Sequence, residues 1–146
     1  MYDALYAFCR AQTATTPRPR VLFVCLHGAA KSVVGAAHFR RLAAERGLAI
    51  DAVAAGTEPD AQLAPGAVKG LAADGLTATP TRPRPVTAYD LESAARVVSF
   101  GCEIVATRGQ RVDQWDVPAV SDGYAAARER IVAHVERLVA ELAAQR

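Results

Sequence analysis

The residues best suited to chemistry in this chain of 146 residues lie close together: Cys25, Lys31 and Ser32. A cysteine is a strong nucleophile once it is ionised, and a positive local field favours the thiolate form. A lysine six positions later can supply such a charge, and the hydroxyl beside it can donate a hydrogen bond to the thiolate. Together these groups would let a sulfur atom attack a bound oxyanion.

The elements around these residues predict how they are positioned. Val21–Val24 is a short hydrophobic run typical of a buried parallel strand, and a helical pattern runs from Lys31 to about Gly47. A turn from a strand into a helix directs successive backbone N–H groups toward one point, where the helix dipole adds positive potential. We therefore expect an oxyanion-binding loop beside Cys25, made of Leu26, His27, Gly28, Ala29, Ala30, Lys31 and Ser32.

The loop residues also allow other interpretations. Ala30-Lys31-Ser32 is similar to the Gly-Lys-Ser of nucleotide-binding loops, but that motif needs glycines where Cys25 and Ala30 stand. Cys25 could instead be a small buried hydrophobic residue at a strand end. A zinc site built from Cys25, His27 and Cys102 lacks a fourth ligand at a recognisable spacing, so no metal and no cofactor are expected.

The rest of the chain alternates between strand and helix patterns. Strands are predicted at residues 50–55, 96–100 and 111–115, and helices from Pro65, from Thr87 and over residues 123–146. This order predicts a single α/β domain, a four-stranded parallel sheet flanked by helices, over residues 21–146. Residues 1–20 are expected to form an N-terminal extension and linker. Ligands bind beyond the carboxyl ends of such strands, which points to the Cys25 loop.

Composition limits the class of protein. Half of the residues are hydrophobic (51%) and 22% are charged, which excludes disorder of the whole chain. The formal net charge of +2 is too small to argue for a nucleic-acid or anionic membrane partner, and neither is expected. Three cysteines, Cys9, Cys25 and Cys102, cannot all pair within the chain, and none has CxxC spacing. We expect a cytoplasmic protein with reduced thiols and no secretory signal.

The Cys-x5-basic-Ser segment between a strand and a helix resembles the phosphate loop of the low-molecular-weight protein tyrosine phosphatases and of the arsenate reductases that share their fold. Ala55–Pro59 resembles the AGT-x-P segment that follows the second strand in that family. Arg82–Thr87 and Val97–Cys102 resemble the arsenate reductase branch more than the phosphatase branch, and Gln114–Pro118 resembles the segment before that branch's catalytic Asp-Pro. The resemblance runs from about Val21 to the C-terminus and implies that Cys25 is the nucleophile.

The loop departs from the family pattern Cys-x-x-Asn-x-x-Arg-Ser at the residues that hold the oxyanion. Gly28 replaces the Asn, Ala30 replaces a common Gly, and Lys31 replaces the Arg. Lysine keeps the charge but lacks the planar fork that holds two oxyanion oxygens at once. If position 30 requires a positive φ, Ala30 must hold strain or the loop must change shape.

The proton donor and the thiol relay implied by the resemblance also change. The family's Asp-Pro aligns with Ala119-Val120, and general acid catalysis typically contributes roughly 10²–10⁴-fold in rate. Asp116 or Asp122 could substitute, although Asp116 is expected to support its loop and Asp122 to cap the last helix. Cys102 matches the first relay cysteine of the arsenate reductases, but Ala106 stands where many of them have the second.

Three hypotheses follow. The leading one is a divergent member that binds phosphate, sulfate or arsenate with weak or absent phosphatase activity. The second is an active phosphatase or arsenate reductase that uses Cys25 and Lys31, with Cys102, a low-molecular-weight thiol or a thioredoxin-type reductant as the resolving partner. The third is an interaction module with an inert site. His27 could tune the thiolate, and Arg82 and Arg84 are expected to be solvated or to steer an anion.

Overall fold

The structure, a computed structural model, describes residues 18–145. Its elements in chain order are β1 (Arg20–Cys25), α1 (Lys31–Glu45), β2 (Asp51–Gly56), α2 (Pro65–Ala73), α3 (Ala88–Ser93), β3 (Ala94–Ser99), β4 (Val112–Gln114), a 3-10 turn (Val120–Asp122) and α4 (Tyr124–Ala144). Residues 1–17 of the predicted extension, Cys9 among them, lie outside the described residues.

The four strands form one parallel sheet in the order β2-β1-β3-β4. This confirms the predicted α/β fold. Because β1 lies inside the sheet, its carboxyl end opens between the loops that follow its two neighbours. Cys25 is the last residue of β1 and pairs in register with Gly56, the last residue of β2.

The side chains of β1 alternate between the two faces of the sheet. Val21, Phe23 and Cys25 pack in the larger core with α1 and α4, while Leu22 and Val24 pack in a smaller cluster on the opposite face. Full burial of a side chain such as Phe23 contributes about 1.5–3 kcal/mol. The last helix, α4, buries a hydrophobic stripe in this core: Ile131, Val135, Leu138, Val139 and Leu142.

The proline-rich segment before α3 is fixed by an ion pair, which corrects the expectation that Arg84 is solvated. Arg84 donates to both carboxylate oxygens of Asp90, at 2.9 and 2.8 Å. Asp90 also completes the predicted capping box with Thr87. Burial alone would raise the pKa of Asp90, but the hydrogen bonds from Arg84 and Thr87 lower it below its ordinary value. The backbone carbonyl of Arg84 accepts from Gly56 N (2.9 Å), which anchors the end of β2.

A buried polar cluster joins α1, α2 and α4. The Tyr124 hydroxyl donates to Asp74 at 2.7 Å and lies 3.3 Å from His38 Nε2. Arg128 contacts the same carboxylate at 2.9 Å. Burial lowers the pKa of His38, and Arg128 and Arg41 oppose the effect of Asp74. The cluster ties the helix that follows the Cys25 loop to the start of α4.

Candidate functional site

A cavity of about 380 Å³ opens at the carboxyl end of β1. The nucleophile loop, Cys25–Ser32, forms one wall, and the segment between β4 and α4 forms the opposite wall. The lining residues are Cys25, Leu26, His27, Ala29, Ala30, Lys31, Asp60, Ala64, Pro65, Gly66, Phe100, Ala119, Val120 and Ser121.

The backbone of the nucleophile loop is held from outside by its carbonyl groups. Four of them accept from amides of the segment 57–64, namely those of Cys25 (3.3 Å), Leu26 (2.7 Å), His27 (3.0 Å) and Ala29 (3.0 Å). The N–H of a trans peptide unit points away from its own carbonyl, so these units turn their amides away from that segment. Within residues 18–145, the amides of residues 26–30 donate to no other group. With the amides of the first turn of α1, they are available to an anion.

Gly28 is needed for the shape of this loop. Its φ is +61°, a conformation that favours glycine. A Cβ atom at Gly28 would lie 2.7 Å from the backbone nitrogen of Gly56, so the two glycines allow the two loops to touch. Ala30 has a φ of −138°, and no non-glycine residue among those described has a positive φ. The strain that a positive φ would impose on Ala30 is therefore absent.

Three side chains meet at this end of the loop. Cys25 Sγ lies 3.1 Å from Ser32 Oγ, and both residues are buried. The thiol donates to the hydroxyl in this pair, and an ionised sulfur would instead accept from it. Lys31, the first residue of α1, lines the same cavity and brings a positive charge to it. A sulfur and a cation thus line one cavity with the loop backbone, and the buried Ser32 hydroxyl contacts the sulfur.

The opposite wall brings no carboxylate into the cavity. Ala119, Val120 and Ser121 line it, whereas Asp116 and Asp122 do not. Asp122 ends the 3-10 turn, and the N-cap of α4 is Gly123 without a side-chain cap. The prediction that Asp122 caps the last helix is therefore wrong, because the chain enters α4 through a glycine at φ +146°.

Cys102 lies next to the nucleophile loop but not in the cavity. Its side chain packs with the smaller hydrophobic cluster on the other face of the sheet from Cys25. Its Sγ is 3.9 Å from the Thr57 hydroxyl, and the Thr57 amide bonds to the Cys25 carbonyl. Both cysteines are free thiols. One residue, Thr57, therefore contacts both positions.

Among the lining residues that the sequence interpretation missed, Asp60 is the one that carries a charged group. Asp60 Oδ1 lies 3.2 Å from His27 Nδ1, which also lies 3.3 Å from the carbonyl oxygen of Glu58. This pair forms where the nucleophile loop meets the loop after β2, and the register of β1 with β2 decides that meeting. The signal in the sequence was weak: Asp60 follows the Glu58-Pro59 of the AGT-x-P segment, with no spacing that links it to His27.

Metal binding and membrane insertion find no support in the described part of the chain. No group of three or more His, Cys, Asp and Glu side chains in residues 18–145 is arranged to hold a metal ion. None of the helices in that range combines the length and hydrophobicity that crossing a membrane requires.

Residues 20–108 match the family model described as low molecular weight phosphotyrosine protein phosphatase. The matched stretch covers more than half of the chain and includes the nucleophile loop and Cys102. The chain therefore belongs to this family. Among curated protein sequences no match was found.

Solved structures share the fold. A thioredoxin-dependent arsenate reductase from Corynebacterium glutamicum is 22% identical over 99% of this chain and 72% of its own, with a TM-score of 0.76. YfkJ from Bacillus subtilis is 22% identical over 90% of this chain and 99% of its own, with a TM-score of 0.78. An arsenate reductase from Archaeoglobus fulgidus is 28% identical over 85% of this chain and 98% of its own, with a TM-score of 0.63. All three likenesses show the shared fold, and the 28% identical one is to an arsenate reductase.

Proposed function

We propose that the Cys25–Ser32 loop binds a tetrahedral oxyanion (phosphate, sulfate or arsenate) and that Cys25 gives the protein weak phosphatase activity. One observation carries this proposal: four loop carbonyls bond outward to the segment 57–64, while the amides of residues 26–30 have no hydrogen-bond partner within residues 18–145. A set of preorganised N–H donors at a helix N-terminus binds anions without help from particular side chains.

Cys25 and Ser32 supply the first chemical step in this proposal. The thiolate attacks the phosphorus atom, and the Ser32 hydroxyl, 3.1 Å from the sulfur, stabilises the anionic sulfur through a hydrogen bond. A reduced Cys25 is required, and both described cysteines are free thiols. We propose a reducing compartment such as the cytoplasm as the place of action.

The activity is weak in this proposal because two side chains that serve the transition state are changed. Lys31 meets the anion as a point charge and not as a bidentate fork. Removal of one oxyanion-hole donor typically costs about 2.7–4 kcal/mol, which sets the scale of this loss. Ala119 brings a methyl group to the wall where the resemblance implies a carboxylic acid.

Titration calorimetry with phosphate, sulfate and arsenate tests the binding site. We expect the unmodified chain to bind these anions and Lys31→Ala to bind them more weakly. The control Lys69→Ala removes the other lysine, which is exposed on α2, and should leave binding unchanged. Turnover of p-nitrophenyl phosphate is expected to fall to background in Cys25→Ser, while phosphate binding stays. The absence of binding for all three anions at millimolar concentration would leave the inert interaction module as the better interpretation.

Arsenate reduction is a second candidate, favoured by the position of Cys102 beside Thr57. In that reaction Cys25 bonds to arsenic, a second thiol attacks the Cys25 sulfur, and arsenite leaves as the two sulfurs form a disulfide. The second thiol is Cys102, a low-molecular-weight thiol or a thioredoxin-type reductant. Arsenite production in the presence of dithiothreitol or thioredoxin tests this candidate. A loss in Cys102→Ser with thioredoxin alone would assign the relay to Cys102.

A further inference from the structure

We infer that His27, oriented by Asp60, carries the proton transfer for which the opposite wall has no carboxylate. This inference rests on the proposed function, because it concerns the leaving group of a phosphate monoester bound beside Cys25. Ala119 stands where the family resemblance implies the proton donor, and neither Asp116 nor Asp122 lines the cavity.

The pair has the geometry of an oriented imidazole. His27 Nδ1 lies 3.2 Å from Asp60 Oδ1 and 3.3 Å from the carbonyl oxygen of Glu58. Both side chains are about half exposed (53% each), and the two acceptors favour the ring orientation in which Nδ1 faces them. Nε2 makes no hydrogen bond within residues 18–145, so it is available to a ligand. Both side chains line the cavity that holds Cys25.

The groups that face His27 suit proton transfer. Asp60 and the Glu58 carbonyl approach from the loop after β2, and Cys25 and Lys31 face the cavity from the nucleophile loop. An imidazole can both give and take a proton, and a carboxylate on one ring nitrogen orients the ring for transfer at the other. Asp60 is therefore a positioning residue, which acts through His27.

The proposed reaction balances over two steps. In the first, the Cys25 thiolate forms the S–P bond, the bond from phosphorus to the leaving oxygen breaks, and that oxygen takes the Nε2 proton of His27. In the second, water attacks phosphorus as His27 accepts a proton from it, and the S–P electron pair returns to sulfur. The sum is ester plus water to alcohol plus phosphate, with His27 and Cys25 regenerated.

The test compares leaving groups in four proteins: the unmodified chain, His27→Gln, Asp60→Asn and the control Asp51→Asn. p-Nitrophenyl phosphate has a leaving group that departs without a proton, whereas an alkyl phosphate needs one. We expect His27→Gln to lower kcat/KM for the alkyl ester by about 10²-fold or more and for p-nitrophenyl phosphate by less than about threefold. It should also remove the alkaline decline of the pH–rate profile.

Asp60→Asn should weaken alkyl ester turnover less than His27→Gln does, and it should spare p-nitrophenyl phosphate turnover in the same way. Asp51→Asn, an exposed carboxylate at the other end of β2, should leave both substrates and the profile unchanged. Equal losses for both esters in His27→Gln, or no loss, would overturn the inference while the anion site stands. If the unmodified chain bound phosphate but turned over neither ester, the inference about His27 would also be overturned while the anion site stands. If it bound no phosphate, the proposed function itself would be refuted.

Discussion

The two walls of the cavity have diverged unequally from the family pattern. On the nucleophile loop, Gly28, Ala30 and Lys31 replace family residues, yet the loop keeps its outward carbonyls, its free amides and the contact from Cys25 to Ser32. On the opposite wall one replacement, Ala119, leaves the cavity without a carboxylate on that side.

The difference reflects which atoms carry each function. The groups proposed to bind the anion are backbone amides, so a side-chain replacement preserves them when the new residue tolerates the local φ and ψ. Gly28 meets this requirement because glycine adopts φ +61° freely. A proton donor is a side chain, and alanine has no atom that can replace a carboxyl group.

The largest effect is expected from restoring the carboxylate. In the His27→Gln background, adding Ala119→Asp should raise kcat/KM for an alkyl phosphate by about 10², within the range for a general acid. The gain should be smaller for p-nitrophenyl phosphate, which needs no proton. Steady-state kinetics with both esters checks this. An unchanged rate for the alkyl ester would mean that a carboxylate at position 119 does not reach the leaving oxygen.

A smaller gain is expected on the loop side. Lys31→Arg should raise kcat/KM for both esters by about tenfold to a hundredfold, because a bidentate cation stabilises the transferring group whatever its leaving group. Lys69→Arg makes the same change on the exposed face of α2 and should have no effect. If the two variants behaved alike, Lys31 would not contact the anion.

Stability measurements test the role of the loop backbone. Gly28→Ala should lower the free energy of unfolding by about 1–3 kcal/mol more than Gly47→Ala does, because crowding against Gly56 adds to the cost of a positive φ. Gly47 has a φ of +68°, but a Cβ atom added there would meet nothing within 4 Å, so it serves as the matched control. Chemical denaturation measures both. Equal losses in the free energy of unfolding would show that crowding between Gly28 and Gly56 adds no destabilisation.

The smallest effect is expected at the polar cluster around His38, which joins α1 to α4. Because the pKa of His38 is lowered, the folded state binds fewer protons than the unfolded state as the pH falls below about 6.5. His38 should therefore contribute a loss of stability on acidification, which levels off below its folded pKa. Tyr124, Asp74, Arg128 and Arg41 are the polar groups that face it.

Denaturation between pH 8 and pH 5 should show a weaker decline in His38→Gln than in the unmodified chain. His134, whose pKa is also lowered by burial and by Arg137 and Arg130, contributes in the same direction, so some decline should remain. A decline identical in both proteins would show that His38 does not contribute to it.

Much of this protein is determined by patterns that need only neighbouring residues. The hydrophobic run before Cys25, the amphipathic stripe of α4 and the Thr87–Asp90 capping box depend on spacing within one element, so the fold class and the position of the nucleophile loop could be predicted. The same holds for the expectation that Cys25, Lys31 and Ser32 belong to one loop.

Contacts between distant segments were decided only in three dimensions. Asp60 reaches His27 because β1 and β2 pair so that Cys25 lies opposite Gly56, and Arg84 pairs with Asp90 instead of facing solvent. Cys102 packs on the other face of the sheet from Cys25, which depends on how the chain leaves β3. Hydrophobic periodicity predicts which face of its own helix or strand a side chain lies on. Contacts between distant segments depend instead on strand register and on the paths of loops, which no local sequence pattern encodes.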